Sequence, residues 1–248
     1  MTFKDKVVVV TGGASGIGKA TAEGFAAEGA TLCIGDIARD KGEAVAAALR
    51  AKGQSAQYIP LDLTSQSSIK EFAADVLRRF GRVDVLVNGA GWSKNQPFVN
   101  TDDDFWEKVI NLNFVGHMRL SKLLLPQMIE RGSGKIVNVS SDAGRVGSLG
   151  ETVYSGAKAG LIGFTKSLAR EGARHNISVN CVCPGPTETP LLAEVEQKYL
   201  DAFVKAIPMR RFGKPTDVAD AIIFFAGPHS DYVTGQVLSV SGGLTMAG

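Results

Sequence analysis

Short runs of consecutive apolar residues alternate along this chain with longer stretches in which apolar positions recur every three or four residues. The short runs Lys6–Val10, Thr31–Gly35, Ala56–Pro60, Val83–Asn88, Lys135–Ser140, Ser178–Val182 and Val237–Val240 predict strands. Their largely unbroken apolar character suits strands covered on both faces. The longer stretches predict helices over Ile17–Glu28, Lys41–Lys52, Ser67–Phe80, Asp104–Glu130, Val153–His175, about Leu191–Ala206 and Pro215–Ala226. Pro126 is expected to bend the carboxyl end of the fourth helix. Strand–helix alternation with short connections predicts a doubly wound parallel α/β sheet of about seven strands, with helices on both faces. No repeat, linker or low-complexity tract divides the chain, so residues 1–248 read as one domain. The largest interruption runs from Pro184 to about Phe212, with further prolines at 186, 190 and 208. A substrate lid at about 186–212 and a static surface insertion both fit it.

Composition narrows the classes. Hydrophobic residues make up 44% of the chain, charged residues 21%, and the net charge is +2, values ordinary for a soluble globular protein. There is no basic run to suggest nucleic acid, and no stretch nears the ~20 apolar residues a membrane span needs. The first apolar stretch is too short for a signal peptide, so a cytoplasmic location is expected. Cys33, Cys181 and Cys183 lack the partners of a metal site, and neither metal nor disulfide is expected.

Directly after the first strand comes Thr11-Gly-Gly-Ala-Ser-Gly-Ile-Gly18, opening a helix. Gly12, Gly16 and Gly18, with Ser15 and Ile17 between them, would bring backbone close to a diphosphate at a helix amino terminus. The spacing differs from the commoner Gly-x-Gly-x-x-Gly, but the strand–turn–helix setting points to a dinucleotide. Asp36 ends the second strand, where a carboxylate can accept from an adenosine ribose and repel a 2′-phosphate, favouring NAD. Arg39 nearby weighs the other way. Asp62 and Leu63, and Asn88-Gly-Ala90-Gly91, lie at carboxyl ends of strands, where ligands of open sheets bind. Asp62 could contact adenine or cap the next helix.

Tyr154 and Lys158 are four residues apart, and Ser141 is thirteen residues before the tyrosine. On a helix the two share a face. A phenol titrates near ~10, so service as a base at neutral pH needs a nearby cation to lower it. Lys158 and an oxidised nicotinamide would be two such charges. The pair alone is a common accident of helices, and Asn113 in mid-helix can equally be a buried polar group bonded to backbone.

Taken in order, the glycine-rich turn, Asn-Gly-Ala-Gly, Asn113, Ser141, Tyr154-x-x-x-Lys158 and Pro184-Gly185 resemble the short-chain dehydrogenase/reductase family over essentially the whole chain. Gly89 departs from the family, which usually has a second Asn there. The resemblance implies a Rossmann-type fold and a catalytic set of Asn113, Ser141, Tyr154 and Lys158. Tyr154 would be the general acid/base, Ser141 would orient the substrate oxygen, and Lys158 would tune the phenol and hold the nicotinamide ribose. Asn113 would anchor a water in a proton relay. After Pro184-Gly185, Thr189, ahead of Thr187, would meet the nicotinamide carboxamide; Ser140 is an alternative to Ser141, disfavoured by its spacing. The family also implies a homotetramer.

For the substrate, Trp92 could wall an apolar pocket or simply pack, and Asp142, Arg145 and Val146 lie on a loop that could line it. These stretches resemble members acting on ring-bearing secondary alcohols, including alicyclic hydroxyacyl-CoA dehydrogenases. The leading expectation is therefore a NAD-dependent oxidoreductase of a cyclic or aromatic secondary alcohol. A 3-oxoacyl-thioester reductase, usually preferring NADPH, is the enzymatic rival. A non-catalytic NAD(H) sensor is the rival of another class. A CoA ester would need basic groups at the pocket mouth, with Lys94, Arg145, Arg210 and Arg211 as candidates.

Overall fold

The structure, a computed structural model, describes residues 2–190, 192 and 197–247. Seven strands form one parallel sheet in the order β3-β2-β1-β4-β5-β6-β7. They are β1 (Val7–Thr11), β2 (Thr31–Asp36), β3 (Ala56–Pro60), β4 (Val85–Asn88), β5 (Gly134–Val139), β6 (Ile177–Pro184) and β7 (Val237–Val240). Each expected strand is present, shifted at its ends by a residue or two. The expected seven-stranded doubly wound fold is the one observed.

Strands alternate their side chains between faces, and each face has its own core. Val8, Val10, Leu32 and Ile34 pack with Phe25 of α1 (Gly16–Ala27) and with Ile222 and Phe225 of α9 (Pro215–Ala226). On the other face Val9, Leu86 and Ile136 pack with Phe72 of α3 (Gln66–Phe80) and with Leu120 and Leu124 of α5 (Gly116–Arg131). Each such large side chain contributes about 1.5–3 kcal/mol by leaving water. Helix ends follow local chemistry. The Ser65 hydroxyl accepts from Ser68 N–H at 3.3 Å to start α3, and Gly81 ends it at φ 73°.

The helix expected over Asp104–Glu130 is three pieces in line: α4 (Asp103–Ile110), a π-helical turn (Asn111–Val115) and α5. Helix continues past Pro126 to Arg131. The remaining helices are α2 (Arg39–Ala51), α6 (Ala143–Val146), α7 (Thr152–Gly172) and α8 (Gln197–Ala206). The first turn of the helix expected from Leu191 lies, Leu192 apart, outside the described residues.

Successive connections reverse direction at β1. The chain moves outward to β2 and β3, then returns to β4 on the opposite side. The loops after β1 and β4 diverge there, opening a crevice at the carboxyl edge of the sheet. Among the described residues no helix is long and apolar enough to cross a membrane.

Candidate active site

The glycine-rich turn leaves β1 and closes on the loop after β4. Gly12 has φ +72°, and a Cβ there would lie 2.7 Å from Ala90 Cα, so both conformation and space demand glycine. A Cβ on Gly18 would overlap the Gly12 carbonyl oxygen. Ser15 precedes α1 without capping it through its side chain, which leaves the first-turn N–H groups directed at the crevice. Such a cradle fits a dinucleotide diphosphate. Thr189 packs against Gly16, 3.2 Å from where a Cβ would stand. Thr187 instead donates its hydroxyl to Gly185 O at 2.9 Å, which leaves Thr189 as the threonine beside the crevice.

Asp36 accepts from the Ala14 N–H at 3.0 Å and the Ala38 N–H at 2.9 Å, which fixes the carboxylate beside the glycine turn. Asp62 accepts from Thr64 N–H at 2.8 Å and the Thr64 hydroxyl at 2.7 Å. It orders the loop before α3, and Ser65, not Asp62, caps that helix. Leu63 is buried, its carbonyl packed where a Gly116 side chain would otherwise be.

The loop after β4 is held from three directions. The Thr11 hydroxyl accepts from Gly89 N–H at 3.0 Å and Ala90 N–H at 3.2 Å. His117 bonds the Ala90 carbonyl through Nε2 at 2.9 Å, and Asn113 bonds the Trp92 backbone at both its N–H (3.2 Å) and its carbonyl (2.8 Å). Burial, and then the charge of Lys158, pull the His117 pKa down to about 3, so the ring is neutral and Nε2 is the donor. The π turn explains Asn113. Widening the helix there lets the Asn113 amide donate to the Val109 carbonyl at 2.9 Å. Asn113 is the buried, backbone-bonded polar group expected of it, and it stands beside Lys158 across Gly91. A Cβ on Gly91 would sit 2.9 Å from Asn113 Oδ1 and 3.3 Å from Lys158 Nζ.

The Asn88 side chain turns into the interior and not toward the crevice. Its amide donates to Asn138 Oδ1 at 2.8 Å and Ser121 Oγ at 3.0 Å. Asn138 continues the line to Thr165 at 2.8 Å. Asn88 is therefore a buried brace beneath the sheet edge, because its strand register turns it inward, opposite Asn138.

Ser141, Tyr154 and Lys158 come together at the carboxyl end of β5 and the start of α7. Ser141 lies beside the Tyr154 phenol and accepts from Ala143 N–H at 3.1 Å, whereas Ser140 donates to the Lys158 carbonyl at 2.8 Å and faces away. Lys158 is 2% exposed and donates from Nζ to Val139 O at 2.9 Å. Burial lowers its pKa to about 8. The lysine is expected to lower the phenol; among the protein's own groups the balance runs the other way. Burial, followed by the charge of Glu151, raises the Tyr154 pKa, with nearby Ser141 opposing. Nζ lies 5.6 Å from the ring centroid and is engaged by Val139, so its charge is not held at the phenolic oxygen.

The substrate-side expectations divide. Trp92 is half-buried, edge-on to Phe105 at 6.1 Å, with Lys108 Nζ 4.1 Å from its ring centre. Asp142 turns inward and accepts from Ser239 of β7 at 2.5 Å, and Val146 is 63% exposed. Arg145 bonds Ser239 at 2.8 Å and the Ala247 carbonyl, so it braces the chain terminus instead of facing phosphates. Arg210 bonds the Lys205 carbonyl and Arg211 pairs with Asp217 at 2.6 Å. Lys94, exposed and lining the cleft beside Tyr154, is the basic candidate without such a tie among the described residues. Sequence reasoning missed Thr11, His117 and Ser93. A histidine directly after the glycine that follows Asn113-Phe-Val was the available signal. Among the described residues no group of His, Cys, Asp and Glu is placed to hold a metal ion.

The family model described as Enoyl-(Acyl carrier protein) reductase matches residues 12–245. The chain belongs to the short-chain dehydrogenase/reductase family. Among curated members, the 3-oxoacyl-(acyl-carrier-protein) reductase FabG of Thermotoga maritima is 43% identical over 247 residues, covering 99% of this chain and 100% of that protein. FabG of Vibrio harveyi is 37% identical over 99% of this chain and 100% of its own. The Nodulation protein G of Rhizobium meliloti is 38% identical over 96% of each chain. As a short-chain dehydrogenase/reductase, the protein is an oxidoreductase that uses a nicotinamide dinucleotide. The relatives' names favour the thioester reading over the ring alcohol.

Proposed function

We propose that this enzyme interconverts a 3-oxoacyl thioester and the corresponding 3-hydroxyacyl thioester. Ser141 beside the Tyr154 phenol, with buried Lys158 and Asn113 converging on Gly91, carries the proposal. Ser141 and Tyr154 bind the 3-oxygen, and Tyr154 delivers its proton as the carbonyl carbon becomes an alcohol. A raised phenol pKa keeps that proton in place at neutral pH. The nicotinamide coenzyme, when bound, supplies or accepts the hydride. Gly12, Ser15, Gly16, Ile17 and Gly18 would hold its diphosphate, Asp36 the adenosine ribose, Lys158 the other ribose, and Thr189 the carboxamide. The names of the 36–43% identical reductases support the thioester, and Lys94 at the cleft offers a cation to its phosphate.

The test is turnover of acetoacetyl-CoA set against a panel of cyclic secondary alcohols and ketones, followed at the NADH absorbance band. Thioester turnover at least ten times the best simple ketone is expected. The reverse order would return the half-buried Trp92 ring, and a cyclic or aromatic secondary alcohol, to first place. NAD is the proposed coenzyme because Asp36 is locked beside the glycine turn. Asp36→Ala should shift the kcat/KM ratio toward NADPH by about tenfold, through loss of a charge that repels the 2′-phosphate. An unmoved ratio would detach Asp36 from coenzyme choice.

A further inference from the structure

The proposed substrate carries two oxygens that need partners. Ser141 and Tyr154 account for the one on the reacting carbon. A second carbonyl, that of the thioester, lies two carbons away and must also exchange water for a protein donor on entering the cleft.

Among the described residues, Ser93 and Ser155 both have a buried, unpaired hydroxyl near Tyr154, and of the two Ser93 is the one that lines the cleft with it. Ser93 is 6% exposed, and its Oγ is buried without a hydrogen-bond partner among the described residues. It shares a narrow cleft with Tyr154, Phe105 and Val153. The enclosed space is about 10 Å³, room for roughly one water-sized group. Lys94, Gln96, Thr101, Glu151 and Thr152 also line this cleft, beside the apolar Phe98.

Its position is set by the fold. Asn113 clamps the backbone of Trp92, the preceding residue, at both N–H and carbonyl. Beyond it, Gln96 N–H donates to Gly150 O at 2.9 Å, and the Asn95 amide donates to Leu149 O at 3.0 Å. Those bonds tie the segment to the loop that leads into α7 and Tyr154. Ser93 and Tyr154 therefore line one cleft at the carboxyl edge of the sheet, held there by backbone hydrogen bonds.

We propose that Ser93 is a specificity-determining residue whose hydroxyl donates to the thioester carbonyl of the substrate. This rests on the thioester reading above and deepens it. A buried hydroxyl left unpaired disfavours any ligand that cannot reach it, so the same group that welcomes a 1,3-dicarbonyl penalises a simple ketone. Selectivity would come from one oxygen atom.

The experiment compares wild type, Ser93→Ala and Ser93→Cys with acetoacetyl-CoA, and measures NADH affinity for each by fluorescence. Cysteine keeps the side-chain volume while offering only a weak donor. Both variants are expected to lose about tenfold in kcat/KM, mainly through KM, with the NADH Kd unchanged within twofold. Three results overturn the role: Ser93→Ala within twofold of wild type, full activity in Ser93→Cys, or an NADH affinity that falls in step with kcat/KM. Wild-type silence toward acetoacetyl-CoA overturns the thioester reading and this inference with it. Wild-type turnover with unaffected variants removes Ser93 alone.

Discussion

Tyr154→Phe is expected to lower kcat by about 10³-fold while NADH still binds within twofold of wild type. The substitution removes one oxygen and little else. Ser141 loses its phenolic neighbour, but Lys158 keeps its bond to Val139 and Asn113 keeps the Trp92 backbone. Folding and the coenzyme cradle should therefore survive, and circular dichroism together with NADH fluorescence would check both. Substantial turnover in this variant would remove the phenol from the chemistry. The wild-type pH profile follows from the same environment. Burial raises the phenol, so it remains an acid through neutral pH. Ketone reduction should be flat there and fall only as the phenol ionises. Alcohol oxidation needs the phenolate, and its rate should climb with pH over that range. A reduction rate that fell between pH 6 and 8 would point to another proton donor.

Gly18→Ala is expected to abolish measurable coenzyme binding, raising the NADH Kd at least a hundredfold. Its Cβ would overlap the Gly12 carbonyl oxygen, a backbone atom that cannot swing aside like the tip of a side chain. Relief requires the turn to open, and Gly12 is itself pressed on Ala90 at 2.7 Å from where its own Cβ would be. The displacement would thus reach the loop after β4 as well as the diphosphate cradle. A Kd within threefold of wild type, measured by fluorescence titration, would mean that the turn does not carry the dinucleotide.

Much of this site is legible in the chain because its determinants are local. Glycines at fixed spacing after an apolar run announce the turn, and Tyr154 and Lys158 need only helical geometry to share a face. Long-range register is not legible in this way. Asn88 looks like a crevice residue because it ends a strand, yet pairing with Asn138 turns its amide into the interior. Asp142 follows Ser141 directly but belongs to β7 through Ser239, a partner 97 residues away. Arg145 is likewise claimed by the distant end of the chain. The electrostatic sign at Tyr154 is hidden for a related reason: spacing brings an ammonium near the ring, but only packing reveals that Val139 engages it. Ser93 and His117 escape notice because nothing in composition separates a serine or histidine with a task from one that merely fits.

The widened turn at Asn111–Val115 has a consequence for how this rod of helix can change. A π turn amounts to one inserted residue, and each residue advances an α-helix by about 100°. Deleting one residue there would return the segment to plain α geometry, with Gly116 onward kept in phase. Leu120 and Leu124 would stay in the core and His117 would still face the Ala90 carbonyl, but the Asn113 amide would lose the widened turn through which it reaches the Val109 carbonyl. The extra residue therefore serves one side chain's reach, and a one-residue deletion should loosen the Asn113 clamp on Trp92 while sparing the downstream helix.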